Sequence, residues 1–122
     1  VEWALNNFIH SKTITGFSDV VFNAVYTKQL VESVYELIKY QITGTVNVAG
    51  NYSISKLDFL KELCKTFGYS SDLISDGKIS DINKSIERPM DTTLDTEILN
   101  NLGICLNLET GLKKLKDDME KL

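Results

Sequence analysis

The sequence predicts a mixed α/β (α+β) fold, about five helices joined by a few short strands. Three observations carry that expectation. Apolar residues recur at helical spacing in several separate windows, short β-branched runs lie between them, and Ser, Asp and Gly stand where helices would start and stop. The composition agrees. The chain has 122 residues, is 43% apolar and 25% charged, and contains 7 Gly and 1 Pro, which suits a single compact domain over residues 1–122 and excludes disordered or collagen-like sequence.

The elements follow in order. Residues 1–10 place Val1, Ala4, Leu5, Phe8 and Ile9 on one helical face, with Trp3 at its edge. Ile14 and residues 19–22 read as extended, with Gly16 as a turn between them. A second helix spans 27–40, with Thr27 as its N-cap and Leu30, Val31, Val34, Tyr35, Leu37 and Ile38 as a broad apolar face. Gly44 releases a β-branched strand over 45–49, closed by Gly50-Asn51. Ser55 and Asp58 form a capping box for a third helix, whose Leu57, Leu60, Leu63, Cys64 and Phe67 face the core and which Gly68 ends. Residues 70–93 are polar and irregular, with Ile74, Ile79, Ile82 and Ile86 as isolated apolar points. A short helix over 95–102 is capped by Asp95 and stopped by Gly103. A last helix starts at Leu108 with Leu108, Leu112, Leu115 and Met119 inward.

Charge narrows the function. Thirteen Lys and Arg against seventeen Asp and Glu give −4, and the lysines are interleaved with acids, which excludes a nucleic-acid surface. No apolar run reaches the roughly 20 residues that span a bilayer. The chain opens Val1-Glu2-Trp3 without an n-region or h-region, as an excised piece of a longer protein would. Cys64 and Cys105 read as two buried thiols of a reducing compartment, and with His10 isolated no metal site is expected.

Several words in fixed order carry a resemblance. They are the helix Val1-Glu2-Trp3-Ala4-Leu5-Asn6-Asn7-Phe8, the run from Asp19 to Leu30, the strand Gly44-Thr45-Val46-Asn47-Val48-Ala49-Gly50, and Arg88-Pro89-Met90-Asp91-Thr92-Thr93-Leu94-Asp95 with Leu102-Gly103 beyond it. Together they resemble the C-terminal substrate-binding portion of the Rossmann-type extended short-chain dehydrogenase/reductases, most closely the dTDP-4-dehydrorhamnose reductases. Ala24 departs from the Pro that the family often carries there. The resemblance implies a cytoplasmic two-domain parent that uses NADP or NAD. Its N-terminal Rossmann domain would bind the cofactor and supply the catalytic Tyr-x-x-x-Lys pair, and hydride would pass to the C4 ketone of a nucleotide-activated sugar. That N-terminal NAD(P)-binding Rossmann domain is absent from these 122 residues, and no Gly-x-Gly-x-x-Gly turn occurs among their glycines. Partners are then the sugar nucleotide and the missing Rossmann domain, with a homodimer left open. Alone, the chain is expected to catalyse nothing. A sugar-nucleotide epimerase or dehydratase portion, and a non-catalytic regulatory or binding member of the superfamily, are the alternatives.

The candidate substrate-binding residues are Arg88, Asn23, Phe22 and Val25. Arg88 is the only arginine and precedes the only proline. A guanidinium matches a phosphate bidentately, and Pro89 biases Arg88 toward an extended backbone. The resemblance places an arginine of this region on the substrate diphosphate. The alternative is a structural arginine paired with Glu87, Asp91 or Asp95. Asn23 could hydrogen-bond a base or a sugar hydroxyl, or serve as a turn residue before a helix. Phe22 and Val25 flank it where the family chain passes the cleft. Tyr26 and Tyr52 are packing residues that could also stack on a base. Tyr35 and Lys39 match the catalytic spacing literally, but they follow the strand-to-helix word instead of preceding it, so they read as packing. His10 reads as a helix C-terminal cation. The incomplete fold should also leave one apolar flank open, around Trp3 and Phe8.

Overall fold

The computed structural model describes residues 1–82 and 87–122; Ile86 of the apolar series lies outside them. The chain folds as two compact units, Val1–Phe22 with Ile54–Thr92, and Asn23–Ser53 with Thr93–Leu122.

In the first unit, α1 (Glu2–Ile9) buries Ala4, Leu5 and Phe8. Phe8 is only 2% exposed and so belongs to the core, while Trp3 is 64% exposed and Ile9 is also exposed. The expected open flank therefore does not include Phe8. The four-residue β1 (Ile14–Phe17) pairs in parallel with β4 (Ile74–Gly77), Ile14 opposite Ile74. Gly16, expected as a turn, lies inside β1. A Cβ there would stand 2.8 Å from the Leu57 Cα, so the missing side chain lets α3 (Lys56–Phe67) approach the strand. β4 falls in the stretch expected to be irregular. Its partner lies 60 residues away, and local periodicity carries no trace of such a pairing. β2 (Val21–Phe22) pairs antiparallel with β3 (Ile54–Ser55).

α3 starts and stops where the sequence says. The Ser55 hydroxyl accepts from the Asp58 amide at 3.0 Å and donates to its carboxylate at 2.8 Å. Gly68 ends the helix at φ 78°, a left-handed conformation. Leu57, Leu63 and Cys64 are buried. Burial pushes the Cys64 thiol pKa up. Cys105, expected to be buried, is exposed.

The second unit holds α2 (Thr27–Lys39), α4 (Glu97–Asn101) and α5 (Leu108–Met119), with the chain running through the first unit between α2 and α4. Tyr26, not Thr27, is the N-cap of α2 and offers no side-chain cap. The helix buries Gln29 and Ser33. Its apolar stripe faces away, with Val31, Val34, Tyr35 and Ile38 at 63, 44, 66 and 69% exposed. Gln29 packs on α5, where its Oε1 lies 2.7 Å from the place a Gly111 Cβ would occupy. Asn107 caps α5 by accepting from the Thr110 amide at 2.8 Å. Met119, expected inward, is exposed. Asp95 accepts from the Glu97 amide at 2.8 Å, although Thr96 holds the cap position of α4. Among the described residues, 45–49 have no ladder partner, and the strand expected there is not formed.

A polar cluster ties α2 to α5. The Tyr26 hydroxyl donates to the Asp118 carboxylate at 2.9 Å, Lys28 reaches the same oxygen at 2.8 Å, and Lys114 reaches Glu32 at 2.7 Å. The hydrogen bonds from Lys28 and then Tyr26 hold the Asp118 pKa below its ordinary 3.8. The bond to Asp118 raises the Lys28 pKa above 10.5. The signs set two windows. The Asp118 contribution is complete above 3.8 and is lost as pH falls through the depressed folded value; that of Lys28 is complete below 10.5 and is lost as pH rises through the raised one. Thermal melts across pH are expected to drop at both ends. Asp118→Asn should flatten the acid limb, and an acid limb of unchanged steepness in that variant would contradict the assignment.

Candidate functional site

The first unit holds a cleft of about 650 Å³ lined by Ile79, Ser80, Ile82, Glu87, Arg88, Pro89 and Met90. Both walls hang from one short segment, residues 18–21. The Val21 amide donates to the Met90 carbonyl at 2.8 Å, and the Thr92 amide donates back to the Val21 carbonyl at 3.1 Å. This backbone pairing starts two residues beyond Arg88, and with Pro89 between them it holds the origin of the arginine side chain. On the other wall, the Asp19 carboxylate accepts from the Ile79 amide at 2.8 Å and the Ser80 amide at 3.0 Å. Burial pushes the Asp19 pKa up, but the bonds from Ile79 and Ser80 outweigh it and bring it below 3.8. The Ser18 amide also donates to the Gly77 carbonyl at 2.9 Å.

Arg88 is exposed, and among the described residues it makes no ion pair, with Glu87, Asp91 or Asp95 included. Its five N–H donors are therefore open to an anion. Glu87 beside it offers only acceptor oxygens, which suit hydroxyl groups and repel phosphate. Ile79, Ile82 and Met90 give the cleft apolar wall. Phe22 is half-buried in the same unit and meets Phe59 edge-on, with ring centroids 5.2 Å apart.

Asn23 and Val25 belong to the second unit. The Asn23 amide is occupied by the chain itself. Its Nδ2 donates to the Gly50 carbonyl at 2.9 Å and the Leu94 carbonyl at 2.8 Å, and its Oδ1 accepts from the Leu94 amide at 2.9 Å. Both donors are used, so what remains for a ligand is one lone pair. Asn23→Ala is expected to cost about 2 kcal/mol, the sum of three modest hydrogen bonds. Asn23→Asp should not restore it, because a carboxylate facing two carbonyls keeps only the Leu94 N–H bond. Urea unfolding midpoints of the two variants test this. Val25 is half-buried. The Tyr52 hydroxyl donates to the Ala24 carbonyl and its ring covers Gly50, while Tyr26 is held by Asp118. Tyr35 and Lys39 are both exposed; Lys39 is paired with Glu36 at 2.8 Å and lies 5.9 Å from the Tyr35 ring centre. His10 Nδ1 lies 2.7 Å from the Asn6 carbonyl at the end of α1. Sequence reasoning missed Asp19. The available signal was an acid at the head of the Val20-Val21-Phe22 run, a position where strands disfavour Asp unless it caps something.

The same fold occurs in known proteins. No family model matches the chain. A "probable low-salt glycan biosynthesis reductase" of Haloferax volcanii is 22% identical over 121 residues, 99% of this chain and 39% of that protein. The dTDP-4-dehydrorhamnose reductase of Clostridium acetobutylicum superposes with a TM-score of 0.82 at 18% identity, over 98% of this chain and 43% of that one. The fold is that of the C-terminal part of a dTDP-4-dehydrorhamnose reductase. The Bacillus anthracis reductase, solved with NADP, agrees at a TM-score of 0.80 and 18% identity, over 96% of this chain and 42% of that one. The chain thus spans about two fifths of the length of the reductases it matches. Its glycines form no Gly-x-Gly-x-x-Gly word. Among the described residues no group of three His, Cys, Asp or Glu converges, and no helix is long and apolar enough to cross a membrane.

Proposed function

We propose that this chain is the sugar-nucleotide-binding portion of an NAD(P)H-dependent reductase, acting on a dTDP-4-keto-6-deoxy sugar in surface polysaccharide biosynthesis. The parent works in the cytoplasm, and its cofactor is held by residues outside these 122. The observation that carries the reading is Arg88, an arginine on a cleft wall with no ion pair among the described residues. Arg88 takes the diphosphate through paired N–H donors. Glu87 accepts from sugar hydroxyls, and Ile79, Ile82 and Met90 line the apolar side. Within the second unit, Asn23 acts through its amide by holding the Gly50 and Leu94 backbones and Val25 contributes packing surface; within the first, Phe22 packs on Phe59.

The test is a titration of dTDP into the 122-residue protein, followed through amide resonances of residues 79–82 and 87–92. Saturable shifts confined to these residues are expected. No shift at millimolar nucleotide would overturn the proposal.

A further inference from the structure

The cleft of the first unit carries two opposite charges side by side. Glu87 and Arg88 are the charged residues among those described as lining it. Both are exposed, and neither makes an ion pair among the described residues, so the two do not neutralise each other. Pro89 biases Arg88 toward extended backbone, where neighbouring side chains diverge, and this keeps the carboxylate and the guanidinium apart on one wall. The pairing of Val21 with Met90 and Thr92 begins just beyond them and fixes the backbone there. A carboxylate beside the guanidinium lowers the local positive potential and costs affinity for any anion. It gains affinity only for a ligand that brings hydroxyl donors alongside its phosphates.

A free nucleoside diphosphate ends in a phosphate monoester, which has a second pKa of about 6 and carries about −1.5 to −2 charges at neutral pH. Esterifying that phosphate with a sugar removes the second ionisation and sets hydroxyl groups next to it. We infer that Glu87 is a specificity-determining residue, which makes the cleft prefer a nucleoside diphosphate esterified to a polyhydroxyl group over the free nucleoside diphosphate. Arg88 holds the diphosphate of either ligand. Glu87 accepts from the hydroxyls of the first and repels the added oxyanion charge of the second. The inference rests on the proposed sugar-nucleotide reading of this cleft and adds ligand discrimination to it. Glycosyl transfer from a sugar nucleotide releases the free nucleoside diphosphate, and the discrimination keeps that by-product from filling the cleft.

The test is isothermal titration of dTDP and of dTDP-glucose into the 122-residue protein and its Glu87→Gln variant, at low and high salt. The unsubstituted protein is expected to bind dTDP-glucose about 5-fold more tightly than dTDP at low salt, with a gap that narrows as salt rises. Glu87→Gln keeps the length of the side chain and removes its charge. It should bind dTDP about 5-fold more tightly and dTDP-glucose no more tightly than before, which closes the gap. Urea melts of the two proteins should coincide, since Glu87 is exposed and free of ion pairs among the described residues. A purely structural role would shift the melt and leave the ratio of the two dissociation constants alone. The same ratio in both proteins, or a preference of the unsubstituted protein for dTDP, would overturn the inference and leave the sugar-nucleotide reading standing. Binding of neither ligand would overturn both.

Discussion

Replacing Arg88 with alanine is expected to weaken dTDP binding by about 10- to 100-fold, because one charge-assisted bidentate contact is worth roughly 1.5–3 kcal/mol. Folding should not change. Arg88 is exposed and free of ion pairs among the described residues, and substitutions at such sites stay within about 0.5 kcal/mol. Arg88→Lys separates charge from shape. It keeps one positive charge but loses the planar fork, so binding should fall less than in alanine and depend more steeply on salt. Isothermal titration with dTDP, alongside a urea melt of each variant, measures both quantities. An unchanged dissociation constant in Arg88→Ala, or a fall in stability matching the loss of binding, would remove the arginine from the site. The same pair of variants in an intact reductase should raise KM for the sugar nucleotide.

What could be read from sequence was local chemistry. The Ser55–Asp58 box, the left-handed Gly68 and the extent of α3 depend on residues within one or two turns, and the structure has them where the sequence indicates. The pairing of β1 with β4 depends on residues 60 apart, and Gly16 reads locally as a turn because the neighbour that requires a glycine there, Leu57, is distant in sequence. α2 shows a different limit. Periodicity locates an apolar stripe but does not say which side the rest of the chain covers, and here it covers Gln29 and Ser33. The strand expected at 45–49 fails for the same reason, since strand propensity is realised only against a neighbouring backbone. At the candidate site, Arg88 stood out as the sole arginine beside the sole proline. Asp19 did not, because its role is to accept amides from Ile79 and Ser80 across the fold. Asn23 was conspicuous for its chemistry, but only the structure reveals that its donors already have partners.

Phe8→Ala is expected to destabilise the first unit by about 3–5 kcal/mol, the usual range for emptying a fully buried aromatic position. Phe8 is 2% exposed, and its ring lies 5.7 Å from that of Tyr69 in a tilted pair, so truncation removes both buried area and an aromatic contact. A small domain holds only about 5–15 kcal/mol in all, and this one change removes a large part of that. Trp3→Ala is the matched control. Trp3 sits in the same helix but is 64% exposed, and its loss should cost no more than about 0.5 kcal/mol. The contrast decides whether the two residues share an open flank, since on an uncovered surface both truncations would be mild. It also bears on the cleft, because its walls hang from residues 18–21 of the unit that Phe8 stabilises. Phe8→Ala should therefore lose dTDP binding in proportion to the fraction unfolded and regain it when a stabilising osmolyte restores the fold. Arg88→Ala should lose binding at every osmolyte concentration. Comparing the two variants across an osmolyte series separates a residue that builds the cleft from one that acts in it.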